Sequence, residues 1–280
     1  MGLDRFGKGA EMRLMDLEEK AEAFHAGSAL NRIEAPETLS SVPAGPSPLT
    51  IYAAPLFAVA DALDPLWARL KDAEVVGPGH LAPDEWLPGA RSVLSYFLPY
   101  SPQVRRANRS KGEAATEWIY AQWEGAKFNA ALEAFLVETF RAAGAGAVGP
   151  MLDPRYRTAD LRCNWSERHA AFIAGLGAFG LSHALITPLG AAGRFGSVIT
   201  DARLDPTPRA YPVRNESCAT CGICIGRCPC RAISASGKDH RACLAYEDET
   251  LARYSPRYGC GKCMTGVPCE GLVPRPCHGR

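Results

Sequence analysis

Ten of the eleven cysteines follow residue 217, and their spacing is that of ligands to iron–sulfur clusters. The first group reads Cys218-Ala-Thr-Cys221-Gly-Ile-Cys224-Ile-Gly-Arg-Cys228-Pro229. The second is spread over Cys243, Cys260-Gly-Lys-Cys263 and Pro268-Cys269. These eight thiolates suffice for two 4Fe-4S clusters, and the chemistry they imply is transfer of single electrons.

The order of the cysteines divides them. Three cysteines at intervals of three can wrap a loop around one cluster. The fourth, one residue further on, cannot easily turn back to the same cube, and in two-cluster ferredoxins it serves the other. This logic gives Cys218, Cys221, Cys224 and one late cysteine, taken as Cys269, to the first cluster. Cys228, Cys243, Cys260 and Cys263 make the second. Pro229 and Pro268 stiffen the chain beside a ligand by fixing φ. A disulfide framework suits secreted domains, but Met1-Gly-Leu-Asp-Arg-Phe-Gly-Lys8 has no apolar core of a secretory signal. Zinc also uses C-x2-C pairs, yet four cysteines in an eleven-residue span closed by Cys-Pro suit a cluster better. Cys230 and Cys277 read as surface thiols, and Cys163 is given no role.

Charge fits this division. Residues 218–280 carry nine Lys/Arg against five Asp/Glu, which offsets the negative charge of two thiolate-ligated clusters. The whole chain has a formal net charge of +1, which gives no electrostatic case for nucleic-acid binding. No apolar stretch approaches the ~20 residues needed to cross a membrane. With no signal visible, the expected location is the cytoplasm.

The elements that must position the cysteines come before them. At 280 residues and 47% hydrophobic, the chain can bury a large core. Residues 1–35 read as a charged helical segment, and the Pro/Ser-rich 36–50 as a linker. A helix-like stretch is expected over 55–71, begun by Pro55 and interrupted at Asp64-Pro65. Residues 91–98 read as a strand. Phe128, Leu132, Phe135, Leu136 and Phe140 repeat at helical spacing, with Gly144 placed to end the helix. A second helix is expected over 165–175, then a hairpin of Ala184–Thr187 with Gly196–Thr200. Gly175-Leu-Gly177-Ala-Phe-Gly180 fits G-x-G-x-x-G, but a helix precedes it and a strand follows. That is the reverse of a dinucleotide site.

The segment Arg168-His-Ala-Ala-Phe-Ile-Ala-Gly175-Leu-Gly177-Ala-Phe-Gly180, the stretch ending Ser197-Val-Ile-Thr-Asp201, and the two cysteine groups joined by Arg241-Ala-Cys243-Leu-Ala-Tyr246 resemble epoxyqueuosine reductase. The resemblance covers roughly residues 90–275. It implies an α+β chain, in which a nitroreductase-like α/β domain is followed by a ferredoxin-like double-cluster domain. The divisions expected are a helical segment and linker over 1–45, a corrinoid-binding domain over 46–208, and the cluster domain over 209–280. It also implies a cobalamin held between the two domains and reduced by the clusters, an arrangement shared with reductive dehalogenases. On this pattern Ser182, His183, Leu244 and Tyr246 would border the corrin.

Three departures bear on function. The family's second cysteine group ends C-x3-C-P; here Val267 stands at that cysteine and Cys269 follows Pro268. The family's proton-donating aspartate aligns with Leu161, so Asp160 is the first candidate donor and Glu167 the second. The transfer-RNA enzymes continue into a further helical domain, whereas this sequence stops at Arg280. The expectation is a corrinoid-dependent iron–sulfur reductase acting on a small molecule rather than tRNA. Its electrons would come from an external low-potential donor of ferredoxin or flavodoxin type. The alternative is an electron-transfer or corrinoid-activating accessory protein that serves a corrinoid protein and turns over no substrate itself.

Overall fold

A computed structural model describes residues 13–211 and 216–275. Cys277 and the first eight residues therefore lie outside the described residues. The centre is a four-stranded sheet. Its strands in chain order are β1 (Leu56–Asp61), β2 (Ser92–Pro99), β3 (Ala147–Val148) and β4 (Gly193–Thr200). Their spatial order is β1-β2-β4-β3, and every neighbouring pair is antiparallel. β2 pairs with β4 along its whole length, from Ser92 opposite Thr200 to Pro99 opposite Gly193.

The sheet is covered on both faces, and the alternation along β2 shows it. Leu94, Tyr96 and Leu98 join one buried cluster, and Val93 and Phe97 join another. The first cluster lies under the helices α1 (Leu14–Gly27) and α2 (Thr116–Ala142). Phe128, Leu132, Leu136 and Phe140 are all fully buried there, as the helical spacing predicts, while Phe135 stacks on Phe24 at 4.8 Å. Gly144 takes φ +85° just past the end of α2, a conformation that favours glycine. On the other face lie α3 (Glu167–Ile173) and a tryptophan group, in which Trp67 and Trp165 stack at 5.2 Å.

Two expected elements are corrected. The stretch 55–71 is not one helix: β1 occupies Leu56–Asp61, and only Leu66–Arg69 is helical. Phe57 and Val59 face one core and Ala58 and Ala60 the other, so the run is apolar throughout and carries no alternation. The expected hairpin of 184–187 with 196–200 does not form. Leu185–Ile186 pairs backwards with Ala178–Phe179, through a turn in which His183 N–H donates to Gly180 O at 2.9 Å. β4 is taken instead by β2 and β3. Among the described residues no helix is long and apolar enough to cross a membrane.

Candidate functional site

The cysteines hang on two short helices and on loops pinned to the sheet-bearing part. Cys224 lies in α4 (Ile223–Arg227), which follows a reversal in which Thr220 and Gly222 take φ +48° and +70°. Cys243 lies in α5 (His240–Tyr254), whose N-terminus is capped by Asp239, with Oδ1 accepting from Arg241 N and Ala242 N.

The second cysteine group is anchored by buried polar groups. Asn108 is fully buried, and its Nδ2 donates to Cys260 O at 3.0 Å. Lys262, between Cys260 and Cys263, is also buried and donates from Nζ to Asn108 O at 3.2 Å and Ser110 O at 2.9 Å. Arg227 Nε reaches Lys262 O at 3.1 Å and so ties the first group to the second. Gly261 has φ +61°, and a Cβ there would run into the Trp118 ring. Further along, Ala191 N–H donates to Cys269 O at 2.8 Å. Glu270 is buried and accepts from Arg109 Nη2 at 2.8 Å and Gly266 N at 2.7 Å.

These anchors gather the thiols into two adjacent cavities. Cys218, Cys221, Cys224 and Cys269 line the smaller. Cys228, Cys243, Cys260 and Cys263 line the larger, together with Cys230. Ser182 borders both. Among the described residues no three His, Cys, Asp or Glu side chains converge to hold a single metal ion. Four thiols spread around one cavity suit a cube with four corners, which is a fit for a 4Fe-4S cluster in each.

The two cavities differ in polarity. The smaller is walled by Ile186, Val267, Pro268 and Pro274 and carries no charged side chain among its described lining. The larger is lined by Arg168, Lys238 and Glu247. Burial works against the Lys238 ammonium, but Cys263 and Cys243 outweigh it and its pKa is raised. Burial also drives the thiols upward, Cys269 and Cys260 to about 12 and Cys263 to about 11, with neighbouring cysteines adding to the effect. A bound metal centre reverses this preference by stabilising the thiolates.

The remaining candidate residues scatter. His183 and Tyr246 line the larger cavity with Ser182, and His183 Nδ1 lies 2.9 Å from His240 Nε2. Leu244 is exposed and borders neither cavity. Asp160 sits at the exposed tip of the hairpin Thr158–Ala159/Arg162–Cys163, with φ +49°. Glu167 opens α3 and borders neither cavity; it is half-buried with both carboxylate oxygens shielded, and burial raises its pKa to about 7. The reading of Cys230 as a surface thiol is corrected, since it is half-buried and lines the larger cavity, and sequence reasoning missed Lys238 and Asn108. The one available signal was the Cys-Pro-Cys spacing, which keeps Cys230 beside a ligand.

Comparison with known proteins bears on the family. An epoxyqueuosine reductase of Bacillus cereus is 30% identical over 205 residues, covering 66% of this chain and 50% of that protein. One of Staphylococcus aureus is 25% identical over 196 residues, covering 68% and 49%. The chain is similar to epoxyqueuosine reductases over these residues. It spans about half the length of these curated relatives. No family model matches the chain. In fold it is similar to a reductive dehalogenase whose structure suggests a mechanism for B12-dependent dehalogenation. That likeness has a TM-score of 0.54 at 15% identity, over 77% of this chain and 30% of that one.

Proposed function

We propose that the chain is a corrinoid-dependent iron–sulfur reductase with two 4Fe-4S clusters, acting on a small molecule. The observation that carries this reading is the pair of adjacent cavities lined by cysteines drawn from both groups, four in the smaller and five in the larger. Cys218, Cys221, Cys224 and Cys269 would hold the first cluster, and Cys228, Cys243, Cys260 and Cys263 the second. The clusters would supply one-electron transfer, and the corrinoid would supply the reducing centre that meets the substrate.

The chain's own residues set the conditions for this chemistry. Lys238 and Arg168 place positive charge on the larger cavity, where a cluster gains negative charge on reduction. Ser182 borders both cavities, which makes them neighbours, as electron exchange between two clusters requires. Ser182, His183 and Tyr246, on the wall between the Gly-rich turn and α5, are the groups we assign to the corrin edge. In this reading residues 46–208 form a nitroreductase-like domain, residues 209–280 a ferredoxin-like one, and the protein works in the cytoplasm with a ferredoxin- or flavodoxin-type donor. The near-zero net charge supports a small-molecule substrate over tRNA.

A second reading is favoured by the exposed hairpin tip that carries Asp160. Among the described residues Glu247 is the one acid lining the larger cavity, and on this reading the chain would hand electrons to a partner's corrinoid and protonate nothing. The test is anaerobic reconstitution with iron and sulfide, followed by titration with hydroxocobalamin and cobalt analysis of the gel-filtered protein. Retained cobalt with substrate turnover supports the reductase. Retained iron without cobalt leaves an electron-transfer protein.

A further inference from the structure

The larger cavity holds a fifth thiol that the ligand count does not use. Cys230 lines it alongside Cys228, and their Sγ atoms stand 3.6 Å apart. Cys228 Sγ also accepts the Ala232 backbone N–H at 3.2 Å. The intervening Pro229 fixes φ, and Arg231 at φ +55° turns the chain so that this donor follows. Among the described residues Cys218, Cys221, Cys224 and Cys269 are the only cysteines that line the smaller cavity. The extra thiol is therefore a feature of one cavity only.

We propose that Cys230 is a positioning residue for the second cluster: its S–H donates to the Cys228 thiolate and raises that cluster's reduction potential. This rests on Cys228 being a cluster ligand. Bonded to iron, Cys228 is a thiolate with no proton to give, and Cys230 is the only member of the pair that can donate. When the cluster accepts an electron, negative charge grows on its ligand sulfurs. A donor aimed at one of them is then worth more in the reduced state than in the oxidised state. Hydrogen bonds to cluster sulfurs are an established lever on potential. Ala232 N–H and Cys230 S–H together give Cys228 two donors, and they act in the same direction.

The test compares wild type, Cys230→Ala, Cys230→Ser and Cys228→Ala after anaerobic reconstitution. Iron and sulfide are counted, and a stepwise dithionite titration is followed by EPR. The expected result is full iron in Cys230→Ala, one midpoint potential moved downward and the other unmoved. Cys230→Ser, which keeps a hydroxyl donor, recovers part of the shift. Unmoved midpoints in a fully loaded Cys230→Ala overturn the role of Cys230 and leave the cluster reading standing. Half the iron lost from Cys230→Ala but none from Cys228→Ala makes Cys230 the ligand and overturns the proposal. A wild type that takes up no cluster sinks the cluster reading and this inference with it.

Discussion

Replacing Glu133 by Gln should flatten the pH dependence of folding stability. Glu133 lies in α2 and is fully buried; its Oε1 accepts from Met151 N at 3.0 Å, and its Oε2 has no hydrogen-bond partner. Burial, and then Glu167, push its pKa from 4.5 to about 9. Glu167 is raised by burial to about 7; Ser197 and Trp165 pull the other way, yet neither carboxylate oxygen has a hydrogen-bond partner. Between about pH 5.5 and 6.5 the folded chain holds a proton on each group, and the unfolded chain holds almost none. A carboxyl whose folded value is raised contributes stability that is whole below its unfolded value and lost as pH rises towards the folded one. Each such proton costs about 1.4 kcal/mol of stability per pH unit. The pair therefore gives a fall of about 3 kcal/mol per unit in that window, and Glu133→Gln leaves about half of it. The substitution keeps the acceptor for Met151 and removes the charge. Urea unfolding of wild type and variant at pH 5.5, 6.0 and 6.5 reads the difference directly. Equal slopes in the two proteins would refute the reasoning.

Three further outcomes are expected. His80 is buried, stacks on Trp165 at 5.6 Å, and is held down to about pKa 4 by burial and by Lys71. A depressed folded value gives stability that is present above the unfolded value of 6.5 and lost as pH falls. That contribution rises by about 1.4 kcal/mol per unit between pH 4 and 6.5, against the fall from the carboxyl pair, and His80→Gln should remove it relative to wild type, read by the same urea series. Glu270→Ala removes the acceptor for Arg109 and Gly266 beside Cys269. It should cost about 1–3 kcal/mol and speed chelator removal of iron from the first cluster before the second, seen as a faster first phase of release. Lys238→Gln removes positive charge from the larger cavity, and EPR-monitored titration should show only the second cluster's midpoint falling.

How much was legible depended on how local the signal was. The cysteine groups could be read because ligand spacing is a property of short loops; the eight thiols line two adjacent cavities, four in one and four beside Cys230 in the other. The stripe on α2 was legible because one helix carries its own period. β1 was not, because a strand buried on both faces loses its alternation and resembles a short helix. The pairing of Leu185–Ile186 was missed because the turn at Gly180–His183 competes with the more distant partner, and only the full register of β2 on β4 decides it. Glu133 sits within an apolar stripe, and nothing in its sequence neighbourhood reveals that a second buried carboxyl interacts with it. Asn108 and Lys262 show their use only when the chain brings the end of one loop against the cysteine segment.

The most direct measurement is the iron content and EPR spectrum of anaerobically reconstituted wild type beside Cys269→Ser. The account predicts about eight irons per wild-type chain, with two interacting clusters on reduction. Cys269→Ser should hold about four, with a single cluster and no interaction signal. A wild type without clusters, or a Cys269→Ser variant that keeps both intact, would contradict it.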